Sequence, residues 1–133
     1  MAGEAVIIEL LGKVPGRPIK FTCAAAAMPK GTICTVTDPR TAVASSADND
    51  PFIGIAAMEN DGTETSISLY THGIFDLVNT NAAAIAAGYR VQIEAANSFG
   101  AVDAAGLLFS DIGIVLEDAA KQETAAVLIG SLL

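Results

Sequence analysis

Ser66-Ile67-Ser68-Leu69-Tyr70 alternates polar and apolar side chains with a period of two, the pattern of a strand with one face buried and the other wet. Working outward from it, Arg90-Val91-Gln92-Ile93-Glu94 and Cys34-Thr35-Val36-Thr37 alternate in the same way. Val6 to Leu11, Phe52 to Ala56, Ile112 to Leu116 and Val127 to Ile129 are apolar on both faces and read as strands covered on both sides. Turn chemistry separates these runs at Val14-Pro15-Gly16, Asp38-Pro39-Arg40, Asn60-Asp61-Gly62 and Asn97-Ser98-Phe99-Gly100. Short strands at this spacing predict a mainly β fold, a small β-barrel or sandwich. At most one short helix is expected, over Asn81 to Ala87, with Asn81 as its N-cap and Gly88 as its stop.

The strand pattern occurs twice. Gly16 to Gly31 lies over Gly73 to Gly88 at an offset of 57, with Gly16/Gly73, Met28/Ile85 and Gly31/Gly88 in register. Phe52-Ile53-Gly54-Ile55 lies over Asp111-Ile112-Gly113-Ile114 at an offset of 59, which also matches Glu59 with Asp118, Glu64-Thr65 with Glu123-Thr124, and Leu69 with Leu128. Two inserted residues reconcile the offsets. The expectation is a single β domain over residues 16–133, built from duplicated halves at about 16–71 and 73–130 that together close one barrel about a pseudo-twofold axis. Residues 1–15 precede it as an extra strand or as an arm reaching to a partner.

The length of 133 residues is one domain's worth of chain. Apolar residues make up 52% and charged ones 17%, and the mean hydropathy is +0.50, the opposite of a disordered composition. Much of the apolar content is alanine, and Trp is absent. Small side chains bury little area each, so at roughly 25 cal/mol per Å² the core is thin and the chain gains by burying surface against other copies. Fifteen acidic against seven basic residues give a charge of -8, which repels phosphate backbones and anionic lipid alike, so neither nucleic acid nor membrane is an expected partner. No apolar run approaches the roughly 20 residues of a spanning helix. The opening Met1-Ala2-Gly3-Glu4 lacks a positive leader, so synthesis in the cytoplasm is expected.

Reactive groups are sparse. His72 is the sole histidine, and no G-x-S-x-G elbow accompanies it. Asp48-Asn49-Asp50 lacks the alternation, central Gly and distal Glu of a calcium loop and reads as an acidic surface loop. Glu117-Asp118 and Glu59 fall at equivalent positions of the two copies, which suits a structural turn better than a catalytic pair needing two different environments. Gly12-Lys13 lacks the rest of a P-loop. Cys23 and Cys34 match no metal spacing and read as buried thiols. No enzymatic activity, metal or cofactor is expected.

Lys30-Gly31-Thr32, Thr37-Asp38-Pro39-Arg40-Thr41-Ala42, Phe52-Ile53-Gly54-Ile55-Ala56, His72-Gly73-Ile74-Phe75-Asp76-Leu77, Ala87-Gly88-Tyr89-Arg90-Val91 and Gly113-Ile114-Val115-Leu116-Glu117-Asp118-Ala119 resemble a family of small head decoration, or cement, proteins of tailed viruses. The resemblance runs from about Gly16 to Leu132. It implies a structural virion protein on the capsid exterior, commonly a homotrimer, that binds the major capsid protein and braces the shell by bridging its subunits; it transfers no catalytic residue. The chain departs from the family in its first 15 residues, which read as a strand rather than a polar arm. The expected capsid contact is the N-terminal apolar run Val6, Ile7, Ile8, Leu10 and Leu11 with its basic neighbours Lys13, Arg17 and Lys20. The expected oligomer interface comes from strands with no polar face, at Ile112, Ile114, Leu116, Val127 and Ile129. A tail or shell component is the alternative, and a small β-barrel ligand-binding protein or enzyme is a third, weakened by the lone His and absent Trp.

Overall fold

The computed structural model describes residues 4–9, 18–48, 50–102 and 111–130. Regular structure in them is all strand. The first half contributes β1 (Val6–Glu9), β2 (Ile19–Cys23), β3 (Ala27–Met28), β4 (Ile33–Thr37), β5 (Thr41–Ala44), β6 (Phe52–Ala56), β7 (Asn60–Asp61) and β8 (Ser66–Tyr70). The second contributes β9 (Gly73–Asn79), β10 (Arg90–Ala95), β11 (Ser98–Ala101), β12 (Asp111–Val115) and β13 (Thr124–Ile129). The strands legible as alternating or doubly apolar runs are present, with β6 and β8 at their expected bounds.

Each half closes a barrel of its own, where one barrel shared by both halves was expected. The first runs β2-β5-β4-β6-β8, with β8 pairing back to β2. The second runs β9-β11-β10-β12-β13, with β13 pairing back to β9. The orders correspond strand for strand, down to one parallel pair in each, β2 with β5 and β9 with β11. Backbone hydrogen bonds repeat too: Gly31 N–H to Ala56 O at 2.9 Å matches Gly88 N–H to Val115 O at 2.8 Å, and Cys23 N–H to Thr65 O at 3.0 Å matches Asn79 N–H to Glu123 O at 2.9 Å. The pairing Cys34↔Gly54 corresponds to Val91↔Gly113, which upholds the offsets of 57 and 59 there. The closing ladders differ from the sequence register by one residue, since Phe21↔Ile67 corresponds to Leu77↔Ala125, steps of 56 and 58. An offset of 57 would set inward Phe21 against half-buried Val78, a one-residue slip onto the other face of the strand.

The interiors conserve volume rather than identity. Ala42 in the first barrel corresponds to Phe99 in the second, while Phe21 and Ile67 correspond to the smaller Leu77 and Ala125, and all six are buried. Large-for-small exchange across one narrow lumen keeps the packing filled, as cores tolerate when total volume is kept. A buried asparagine ties the loops at one end of each barrel. Asn60 donates from Nδ2 to the carbonyls of Ala24 at 3.3 Å and Glu64 at 2.9 Å, and Asn79 donates to those of Ala119 at 3.0 Å and Ala120 at 3.3 Å. Such groups are stable in an apolar interior because they are hydrogen-bonded.

No helix forms over residues 81–87. Ile85 is buried and bridges Ala119, the counterpart of the Met28↔Asn60 pairing between β3 and β7. Asn79, not Asn81, caps the turn, accepting the Asn81 N–H on Oδ1 at 2.8 Å. Tertiary pairing outweighs the helix propensity of the alanines.

Gly54 and Gly113 sit where strands approach closely. A Cβ on Gly54 would lie 2.8 Å from the Tyr70 carbonyl oxygen and 3.0 Å from Leu69 Cβ, and one on Gly113 would overlap the Leu128 carbonyl oxygen outright. Gly113→Ala should cost about 3 kcal/mol or more and Gly54→Ala roughly 1 to 2 kcal/mol, read by chemical denaturation of both variants. Burial, with a smaller effect of the neighbouring Cys23 charge, pushes the Cys34 thiol up to about 12 from its ordinary 9.0. The folded value lies above the unfolded one, so this contribution is whole below pH 9 and is lost as pH rises toward 12. Denaturation midpoints should therefore fall more steeply over that interval in the wild type than in Cys34→Ala.

Candidate interaction surfaces

The polar residues singled out in the sequence hold loops together. Asp50 Oδ2 accepts the backbone N–H groups of Ser46 at 2.9 Å and Ala47 at 3.0 Å, and Asp48 Oδ1 accepts from Gln92 Nε2 at 2.6 Å. Glu117 Oε1 accepts the Ala126 N–H and Asp118 Oδ1 the Ala87 N–H, each at 2.9 Å, as a structural turn requires. Thr63 donates to Asp61 from its side chain and its backbone, which holds that carboxyl below the usual range. Exposed His72 shares a hydrogen bond of 3.0 Å with the Thr71 hydroxyl next to it. Cys23 and Cys34 are buried and not disulfide-bonded. Among the described residues no three His, Cys, Asp or Glu side chains are grouped to hold a metal ion.

What the fold builds instead is a joint between barrels. The Ile33 N–H donates to Asn97 Oδ1 at 2.9 Å, the Asn97 N–H to Ser45 Oγ at 3.3 Å, and Ser45 Oγ to the Ala95 carbonyl at 3.4 Å. Ile33 and Ile55, on the outside of the first barrel, are packed into the same apolar cluster as Phe75 and Val127. The rings of Tyr70 and Phe75 lie 5.9 Å apart. The N-terminal segment straps this joint. Its Ala5 N–H donates to the Gly31 carbonyl at 2.6 Å, and β1 continues antiparallel along β9, with Val6↔Asp76 and Ile7↔Phe75. On that edge β11 reaches only Val78 and Asn79, so β1 covers the remainder.

The joint is not reciprocal among the described residues, and the barrels meet head to tail rather than about a twofold axis. Gly31, Thr32 and Ile33 are buried against the strap and the second barrel, whereas their counterparts Gly88, Tyr89 and Arg90 are exposed. Asn97 is buried in the joint with φ 52°, while its counterpart Arg40, with φ 49°, is exposed. Arg40 lies 5.2 Å above the Phe21 ring, and its Nη2 donates to the Lys20 carbonyl at 3.1 Å. Lys20, Phe21, Thr22, Arg40 and Ser66 line a surface cleft there.

Ile112, Val127 and Ile129 lie inside the second barrel, where they present no surface to another copy. Ile114 is half-buried and Leu116 exposed, on the outer side. The doubly apolar reading of residues 112–116 thus combined an inward set with an outward one. The backbone of Val6, Ile7 and Glu9 is paired within the chain, and Ile8 shares that strand. Leu10, Leu11, Lys13 and Arg17 lie outside the described residues. Lys20 is exposed on β2, in the cleft with Arg40. Tyr89 and Arg40 stood in the quoted motifs but were not read as contact residues, because which copy of an equivalent pair is covered depends on how the barrels dock.

Two closed barrels are thus joined through one face of each, and the counterpart faces are exposed among the described residues. Residues 13–130 match the phage cement protein family, and the chain belongs to it. The family is one of structural, capsid-associated phage proteins. No curated protein matches the chain.

Removing residues 1–9 uncovers the edge of β9 and the Gly31 face together. The truncated chain should unfold several kcal/mol earlier than the intact one, in step with roughly 0.5 to 1.5 kcal/mol per lost hydrogen bond plus the exposed apolar area. A denaturation midpoint unchanged by the deletion would show that the segment is an arm and not part of the fold.

Proposed function

We propose that this protein decorates the outside of a viral capsid as a homo-oligomer, expected to be a trimer, and stabilises the shell by bridging neighbouring copies of the major capsid protein. It does so without catalysis or cofactor. The observation that carries the reading is membership of the cement family along residues 13–130. The structure adds support: closed barrels with few free edges suit a protein packed densely beside its own kind without strand-to-strand aggregation. The acidic balance of the chain, -8, directs its loops to solvent and favours a shell contact that is apolar or locally basic. The N-terminal run is proposed for that contact, with Val6, Ile7, Ile8, Leu10 and Leu11 beside Lys13 and Arg17; Lys20, expected there too, lies in the β2 cleft.

The energetic basis is linkage. A protein that binds the closed lattice and not the ruptured one stabilises it by about 2.7 kcal/mol per site at a hundredfold excess over Kd, repeated over the shell. Modest contacts then suffice. Particles stripped of this protein should rupture at lower temperature and under milder osmotic shock than decorated ones, and adding back purified protein should restore resistance saturably. Equal survival of bare and decorated particles would refute the bracing role, and failure to bind expanded shells would refute the location.

A further inference from the structure

We infer that copies of this chain join head to tail: the face of the second barrel around Gly88, Tyr89 and Leu116 receives the β2 edge of the next copy's first barrel, repeating between chains the joint that links the two barrels within one. This rests on the self-association proposed above and goes beyond it by naming the two surfaces.

Equivalent positions in the two barrels differ sharply in burial. Thr32, beside the strap, is 0% exposed, and its counterpart Tyr89 is 65% exposed; Ala57 is half-buried, and its counterpart Leu116 is 44% exposed. On the opposite partner the contrast reverses. Phe75, inward on β9 opposite Val127 and packed with Ile33 and Ile55 of the first barrel, is 1% exposed, and its counterpart Ile19, at the start of β2, is 42% exposed. The second barrel thus keeps open the kind of face that the first barrel buries, and the first keeps open the edge that the second buries. Large apolar side chains stand at both.

The substitutions at these positions fit a joint without a strap. Glu4 and Ala5 fill the space above Gly31, where a Cβ would lie 3.0 Å from Glu4 Cβ and overlap the Ala5 carbonyl oxygen. Above Gly88 no atom of the described residues comes within 4 Å. Each chain has one N-terminal segment, and its own β9 holds it. Tyr89 and Leu116 are much bulkier than Thr32 and Ala57, so they supply the volume that the strap supplies inside the chain. Charge agrees: exposed Glu117 and Asp118 adjoin Leu116 and the Arg90 beside Tyr89 is paired with Asp111, whereas Lys20 and Arg40 border the β2 edge, two of the seven basic residues of a strongly acidic chain. A joint between unlike faces generates a ring when the rotation closes, and a filament when it does not.

A joint between unlike faces has a signature that a like-to-like contact lacks. Tyr89→Asp/Leu116→Asp blocks one face and Ile19→Asp/Arg40→Glu blocks the other, all at exposed positions, with circular dichroism and the melting temperature reporting that each variant folds. In light scattering the wild type should form an oligomer, each variant should run as a 13.5 kDa monomer, and an equimolar mixture should give a dimer of twice that mass, held by its one intact joint. A mixture that stays monomeric, or either variant assembling like the wild type, overturns the assignment of surfaces while leaving self-association standing. A monomeric wild type removes self-association itself, and this inference with it. Recovery of the mixed dimer also shows that neither variant was merely misfolded.

Discussion

The ladder that joins the first and last strand of each half, β2 to β8 and β9 to β13, is the constraint on which the rest of the molecule depends. Closing five strands on themselves leaves few free edges and fixes a narrow lumen. That lumen explains the composition. It accepts alanine, valine and isoleucine at many inward positions, large rings where neighbours are small, and glycine where the chain crosses closest. The small side chains that suggested a thin core are therefore what a tube of this bore can hold. Their modest area per residue leaves the barrels dependent on what they pack against.

Docking supplies the remainder, and it does so unequally. In the first barrel, β4 and β6 are covered on both faces: Cys34 and Ala56 line the lumen while Ile33 and Ile55 enter the cluster beneath the second barrel. The equivalent strands β10 and β12 turn Arg90 and Ile114 outward with no such cover among the described residues. Two copies of one strand pattern have thus acquired different surroundings, and their outward residues have diverged to match. The inward ones have changed in compensating pairs.

Much of this was legible in the residues. Period-two alternation located β8, and the Gly-Ile runs located β6 and β12, because burial of one face imposes that spacing directly. The duplication was legible as matched glycines, since Gly54 and Gly113 are held in register by steric contact. The closing ladders were misaligned by one residue because the matches Glu64-Thr65/Glu123-Thr124 and Leu69/Leu128 are identities without structural equivalence: the strands pair at steps of 56 and 58. β11 passed for a turn because Asn97-Ser98-Phe99-Gly100 carries turn residues, although Phe99 plugs the second barrel. The helix expected at residues 81–87 failed for a related reason: local propensity says nothing of the bridge from Ile85 to Ala119. The surfaces were least legible. Leu116 was marked, but Ile112, Val127 and Ile129 were grouped with it, because an apolar run does not reveal which of its members face the lumen.

Thr71 and His72 are all that separate β8 from β9, a reach of roughly 10 Å from Tyr70 to Gly73. So short a tether keeps the second barrel beside the first at a high effective concentration and limits the orientations it can take. The joint inside the chain is therefore a unimolecular event, set by connectivity and reached without waiting for another molecule. In an assembly of head-to-tail copies every second joint is of this kind. Fusion of the two barrels thus halves the number of diffusive encounters, and of losses of translational freedom, needed to complete a given ring of barrels. It also fixes the polarity of each incoming chain before it arrives.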